Sequence, residues 1–155
     1  MLVFLIGFMG AGKTQLGRAL ARSLGYQFTD LDSHIEAAAH LSIPEIFAQK
    51  GEAAFREWEQ ETLRNTVSNL LVQKASCVIA CGGGTPCYHG NLEFMKAQGF
   101  VIFLDTPAET LCERLLQPGQ SRPLLPGQTK SALLPQIQQL LEARRPFYTQ
   151  AHWTC

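Results

Sequence analysis

Apolar and polar positions along this chain change period several times, and each change marks an element. Residues 2–6, LVFLI, are continuously apolar and rich in β-formers, the pattern of a strand covered on both faces. Glycines follow at once. From Thr14 the period becomes helical, with Leu16, Leu20 and Leu24 as the inward stripe and Gly25 as the stop. Residues 26–32, YQFTDLD, alternate and predict a second strand. Ser42 and Glu45 have capping-box spacing with Pro44 in the first turn, so a short helix is predicted to run to Lys50 and Gly51, and a longer one over 52–71. Residues 76–80 and 100–105 are further apolar runs closed by turn residues, and Arg144 and Arg145 end a last helix just before Pro146. Strand and helix alternate, which predicts an α/β three-layer fold around a central parallel sheet.

Length and composition narrow this further. A chain of 155 residues with 46% hydrophobic content fits one domain, residues 1–155, with a full core. Thirteen basic residues balance thirteen acidic ones, so no net field draws the protein to nucleic acid or to an anionic membrane. No stretch approaches the roughly 20 apolar residues of a membrane span. Five cysteines (Cys77, Cys81, Cys87, Cys112 and Cys155) show no C-x2-C pairing and read as reduced thiols of a cytoplasmic protein. Between Leu116 and Lys130 the text LQPGQSRPLLPGQTK carries three prolines and reads as a mobile loop; about 108–130 is expected to act as a lid.

Candidate chemistry begins at Gly7–Thr14, GFMGAGKT, which fits G-x-x-x-x-G-K-[ST] between a predicted strand and a predicted helix. Backbone N–H groups of Gly10, Ala11 and Gly12 can wrap phosphates, with Gln15 on the first helical turn behind them. Lys13 can reach the outer phosphates, and Thr14 offers a hydroxyl to Mg²⁺. Nucleotide binding alone names no reaction.

Asp30 and Asp32 alternate across Leu31, so both carboxylates are expected on one face at a strand's C-terminal end, where ligands of parallel sheets bind. Asp30 can serve Mg²⁺ and Asp32 a substrate hydroxyl; a plain helix N-cap is the competing reading. Arg56 stands among Glu52, Glu57, Glu59 and Glu61 and also reads as an ordinary surface arginine. Arg144 and Arg145 can simply complement a helix dipole. Arg122, within the proline-rich loop, is a cation that a flap could bring over a transferring phosphoryl group, or an exposed loop residue. Gly82, Gly83 and Gly84 follow a buried strand. No lysine follows them at P-loop spacing and Pro86 removes a donor, so they read as bare backbone for a substrate ring or as a turn.

Taken together, GFMGAGKT, DLD, FREWE, CGGGTP, RPLL and ARRPFY resemble, in order and approximate spacing, the shikimate kinase family, over residues 3 to about 148. The resemblance implies a nucleoside-monophosphate-kinase-like P-loop fold that moves the γ-phosphoryl of ATP to the 3-hydroxyl of shikimate with Mg²⁺. It implies Asp32 at the ring hydroxyls and as base, Arg56 and Arg144 on the substrate carboxylate, and Gly83 against the ring. Thr14 with Asp30 serves Mg²⁺, Lys13 and Arg122 the phosphoryl group, and Arg114 lies against adenine. A monomer with two small-molecule substrates is implied. Rival readings are another small-metabolite P-loop kinase of the gluconate type, which leaves the aspartate, glycine and arginine set unexplained, and a non-catalytic nucleotide-binding module. The sequence departs from the family in three ways. Cys81 precedes the glycines where a small hydroxyl residue is common in the family, a change expected to cost little, with a thiol beside the pocket open to alkylation or oxidation. The lid is proline-rich. The chain stops at AHWTC, where a last strand and helix are implied, so the C-terminal strand and helix are expected to be short or truncated, with Trp153 exposed.

Overall fold

The computed structural model describes residues 1–117 and 129–155; Arg122 and the part of the expected lid from 118 to 128 lie outside the described residues. Among the described residues one parallel sheet runs in the order β2 (Gln27–Asp30), β3 (Cys77–Ala80), β1 (Leu2–Ile6), β4 (Phe100–Phe103), β5 (Trp153–Thr154). Its centre is β1, buried at every residue, beside β3, also buried throughout. Such strands need helices on both faces, since neither face tolerates water. β2 flanks β3, and β4 flanks β1 on the other side.

Register fixes where the loops emerge. Leu5 and Asp30 both stand opposite Ala80, and Ile6 stands opposite Phe103, so the first three strands end at one level. The residues after Ile6, Asp30 and Ala80 therefore leave the sheet side by side.

The helix after β1, α1 (Lys13–Leu24), buries Gly17 and Ala21 rather than the predicted leucine stripe; Leu16 and Leu24 are exposed. Small residues face the sheet because the helix lies against it closely: a Cβ on Gly17 would stand 2.6 Å from Phe28 Cε2 and 3.1 Å from Leu5 Cδ1. A leucine in that row would hold the helix off.

The second strand also ends earlier than its alternation predicts. Asp30 accepts hydrogen bonds from the backbone N–H of Asp32 (3.1 Å) and Ser33 (3.4 Å), capping α2 (Leu31–Ala39). Asp32 thus sits in the first turn of a helix, and the same-face argument for the two aspartates is replaced by a cap. The predicted capping box is present at the start of α3 (Ile43–Val72), which breaks at Gly51 (φ 80°), the expected boundary between its two parts.

A 3-10 turn (Thr85–Cys87) leads to α4 (Asn91–Gln98), which the sequence reading does not include. The first part of the expected lid range is helical, α5 (Ala108–Leu115). The last helix, α6 (Lys130–Tyr148), passes through Pro146 instead of ending before it. A proline in the final turn deletes only its own N–H, and pairing continues with Thr149 N–H on Arg145 O at 3.0 Å.

At the C-terminal edge the strand expected to be short or truncated is a short one. Trp153–Thr154 form β5, paired with Ile102 and Phe103 of β4. Cys155 N–H donates to Phe103 O (3.0 Å), and its carbonyl accepts from Asp105 N–H (2.8 Å). Trp153 is 62% exposed, as the sequence reading expects.

Gly17→Ala tests the close seat of α1. Alanine in an exposed helix position stabilises by about 1 kcal/mol over glycine; here overpacking should dominate and destabilise by about 1–3 kcal/mol. Urea unfolding measures it, and a stabilised variant contradicts the packing described.

Candidate active site

The loop leaving β1 bends through Gly7, Gly10 and Gly12 at φ 141°, 82° and 94°, conformations that side chains resist. Lys13 Nζ donates to Gly7 O at 2.8 Å and to Phe8 O at 2.9 Å, so the ammonium is folded over its own loop. From α5, Arg114 Nη1 donates to Gly10 O at 3.0 Å and ties that helix to the loop. Thr14 Oγ1 donates to Asp30 Oδ2 at 2.7 Å. Asp30 is therefore both the cap of α2 and the partner of Thr14, so the two sequence readings of this residue are compatible.

A cavity of about 360 Å³ opens over the loop. Gly10, Gly12, Lys13, Thr14 and Gln15 form its floor, while Asp30, Asp32 and Arg114 stand around it. Ala11 is buried behind this surface. Backbone donors at a helix start, a lysine and an open mouth suit a polyphosphate. Thr14 and Asp30 present a hydroxyl and a carboxylate oxygen together, a donor set that fits Mg²⁺, which takes few protein ligands beside phosphate and water.

A second, smaller cavity of about 50 Å³ adjoins it, with Met9, Asp32 and Gly83 lining both. Arg56, Glu59, Gly82, Gly84 and Arg144 complete its polar wall. Arg56 is not the surface arginine of the simpler reading: it is 4% exposed. Its Nη1 donates to Glu59 Oε2 at 2.8 Å, and Nε and Nη2 donate to Glu52 Oε1 at 3.3 and 3.2 Å. The Tyr88 ring lies 4.3 Å from its Cζ. Burial works against its charge, but Glu59 and then Glu52 outweigh that and hold its pKa above the ordinary arginine value.

Arg144 and Arg145 diverge. Arg145 turns outward to Asp105 at 3.3 Å, whereas Arg144 is 5% exposed and lies against the Phe8 ring at 5.3 Å. Arg144 Nη1 is buried without a hydrogen-bond partner among the described residues.

Each glycine of the triplet makes room for a different group. A Cβ on Gly82 would lie 2.7 Å from Glu59 Oε1 and 2.8 Å from Asp32 Oδ1. One on Gly83 would lie 3.2 Å from Arg144 Nη1, and one on Gly84 would lie 2.5 Å from both terminal nitrogens of Arg56.

Four supporting residues escaped the sequence reading. Glu59, 1% exposed, also accepts from Thr85 Oγ1 at 2.6 Å, and Asn91 Nδ2 donates to Thr85 O at 3.0 Å. Tyr148 Oη donates to Gly83 O at 2.6 Å. The three-residue spacing of Arg56 and Glu59 was a usable signal; Thr85, Asn91 and Tyr148 meet the site only through the fold.

Cys81 departs from expectation. It is buried, its Sγ lies 3.6 Å from Met95 Sδ, and burial pushes its thiol pKa far up despite Lys13. Such a thiol stays protonated and unreactive.

Two cavities meeting at one carboxylate, one built for phosphates and one walled by two buried arginines, suit phosphoryl transfer to a small hydroxylated acid. Comparison with known proteins agrees. The family model for shikimate kinase matches residues 9–155. The shikimate kinase of Bacteroides thetaiotaomicron is 44% identical over 151 residues, covering 97% of this chain and 83% of that one. Its crystal structure superposes with a TM-score of 0.91 at 43% identity, over 99% of this chain and 85% of that one. The Acinetobacter baumannii shikimate kinase, solved in complex with shikimate, gives a TM-score of 0.88 at 37% identity, over 99% and 82%. On this fold, site and likeness, the chain belongs to the shikimate kinase family.

Proposed function

We propose a division of labour among this chain's residues for the transfer of the γ-phosphoryl of ATP to the 3-hydroxyl of shikimate. The larger cavity takes ATP and the smaller one shikimate. The observation that carries the reading is Arg144: a buried guanidinium nitrogen without a partner is costly unless an anion meets it. The shikimate carboxylate is that anion.

Arg56 completes the clamp. A guanidinium has five N–H donors, and Glu52 and Glu59 engage one on each nitrogen, which leaves one N–H on each terminal nitrogen for a carboxylate. Gly82 to Gly84 let the ring press on backbone between the two arginines. Asp32, on the wall common to both cavities, binds the ring hydroxyls and accepts the proton of the 3-hydroxyl as that oxygen attacks the γ-phosphorus. The bond from the γ-phosphorus to the β,γ-bridging oxygen breaks, and ADP leaves with that oxygen.

Lys13 exchanges its contacts with Gly7 O and Phe8 O for the transferring phosphoryl oxygens. Arg122 is assigned the same role from sequence alone. Arg114, anchored to Gly10 O at the cavity rim, lies against adenine. Thr14 and Asp30 hold Mg²⁺, which when bound neutralises phosphate charge. A monomer is taken as the working unit, and five free cysteines support the cytoplasm as its compartment.

Coupled assay of ADP release tests these roles. Arg144→Met should raise the shikimate KM about a hundredfold, as expected when one partner of a buried charge pair is removed, while ATP affinity stays within about twofold. It should also raise the melting temperature of the ligand-free protein, because a buried guanidinium with one unpartnered nitrogen has gone; equal losses for both substrates contradict the assignment. Asp30→Asn should mainly raise the Mg²⁺ concentration needed for half-maximal rate, and excess Mg²⁺ should restore turnover. Failure of that rescue removes Asp30 from the cation site. Iodoacetamide near neutral pH should label the exposed Cys155 and spare Cys81, with activity retained, as read by mass spectrometry of the labelled enzyme.

A further inference from the structure

We propose that Tyr148 is a positioning residue for the acceptor site, its hydroxyl locking the Gly83–Gly84 peptide in the orientation that shikimate needs. The inference rests on the reading of the smaller cavity given above.

Tyr148 touches neither cavity. It is wholly buried, its ring stacked on Phe103 with centroids 4.9 Å apart. Its hydroxyl donates to Gly83 O at 2.6 Å, so the loop is gripped from the protein side while Gly83 and Gly84 line the pocket. Burial, only partly offset by Arg144, holds the phenol well above the ordinary tyrosine pKa, so it remains a donor.

The need for a lock follows from the glycines themselves. Glu59 and Arg56 crowd the places where side chains of Gly82 and Gly84 would be, and a Cβ on Gly83 would lie 3.2 Å from Arg144 Nη1. A peptide between two glycines is also the easiest kind to flip, since no Cβ resists the change in φ and ψ. In a planar trans peptide the carbonyl and the following N–H point in opposite directions. Holding Gly83 O toward Tyr148 therefore turns the Gly84 N–H away from it. A flip would put a carbonyl oxygen where a donor had been, beside two arginines that await a carboxylate, and would repel that anion. Tyr148 also lies one helical turn after Arg144 on α6, so one rigid element sets both the cation and the peptide it faces.

The experiment is Tyr148→Phe, which keeps the ring and its seat on Phe103 and removes the hydroxyl that donates to Gly83 O and also meets Arg144. The shikimate KM should rise about tenfold, the order of one lost hydrogen bond to a buried carbonyl, with the ATP KM within about twofold. Val67→Ala, a buried α3 residue remote from both cavities, serves as a control matched for lost stability, and it should move neither KM. Unchanged shikimate KM in Tyr148→Phe, parallel loss for both substrates, or the same shift in the control each overturns the proposal. In the unaltered protein, glycine-selective ¹⁵N relaxation dispersion at Gly84 gives a reading independent of any variant. Absence of millisecond exchange is expected, and such exchange in the ligand-free enzyme rejects the lock. Wild-type enzyme that releases ADP without dependence on shikimate would instead reject the site reading itself.

Discussion

Parallel register is the constraint on which the site depends. Leu5 and Asp30 share Ala80 as their neighbour, so the phosphate loop, the capped start of α2 and the triple glycine leave the sheet at one level. Shifting one strand by a residue would turn its side chains to the opposite face and carry its loop out of line. The apolar burial of β1 and β3 prevents that slip. Hydrophobic burial, which has no direction of its own, thereby fixes charged groups that must be placed to within fractions of an ångström.

Around that frame the polar groups are organised in relays. Asn91 holds Thr85, Thr85 holds Glu59, and Glu59 holds Arg56. All four are buried. Removing one member leaves another polar atom without a partner, which is costlier than the bond alone suggests. Arg144 stands outside this relay: its Nη1 is buried without a hydrogen-bond partner among the described residues.

Much of this was legible in the sequence. The continuous apolar runs at 2–6 and 76–80 became buried strands because nothing else accommodates such residues. The phosphate loop and the Ser42–Glu45 box are local patterns whose geometry needs no tertiary information. What failed was what depends on distance between layers. The leucine stripe of α1 looked like a core face, but the helix lies too close to β1 and β2 for leucine, and glycine and alanine took the inner row. Alternation through Asp32 looked like a strand, yet the carboxylate of Asp30 turned the chain into a helix. Arg56 looked solvated because a linear text shows four acidic neighbours without showing which of them is buried. The edge strand was missed for another reason: two residues carry no period, and β5 exists through backbone pairing to β4.

The triple glycine has one more consequence, for what sequence change the site can absorb. Its three positions are not interchangeable padding, since each is emptied by a different neighbour: a carboxylate pair at Gly82, Arg144 at Gly83 and the guanidinium of Arg56 at Gly84. A methyl group at Gly82 or Gly84 forces the end of a charged side chain to move, and one at Gly83 asks Arg144 Nη1 and Met9 N to give by a few tenths of an ångström. A substitution at each position therefore displaces a different group, so tolerance at one says nothing about tolerance at the next.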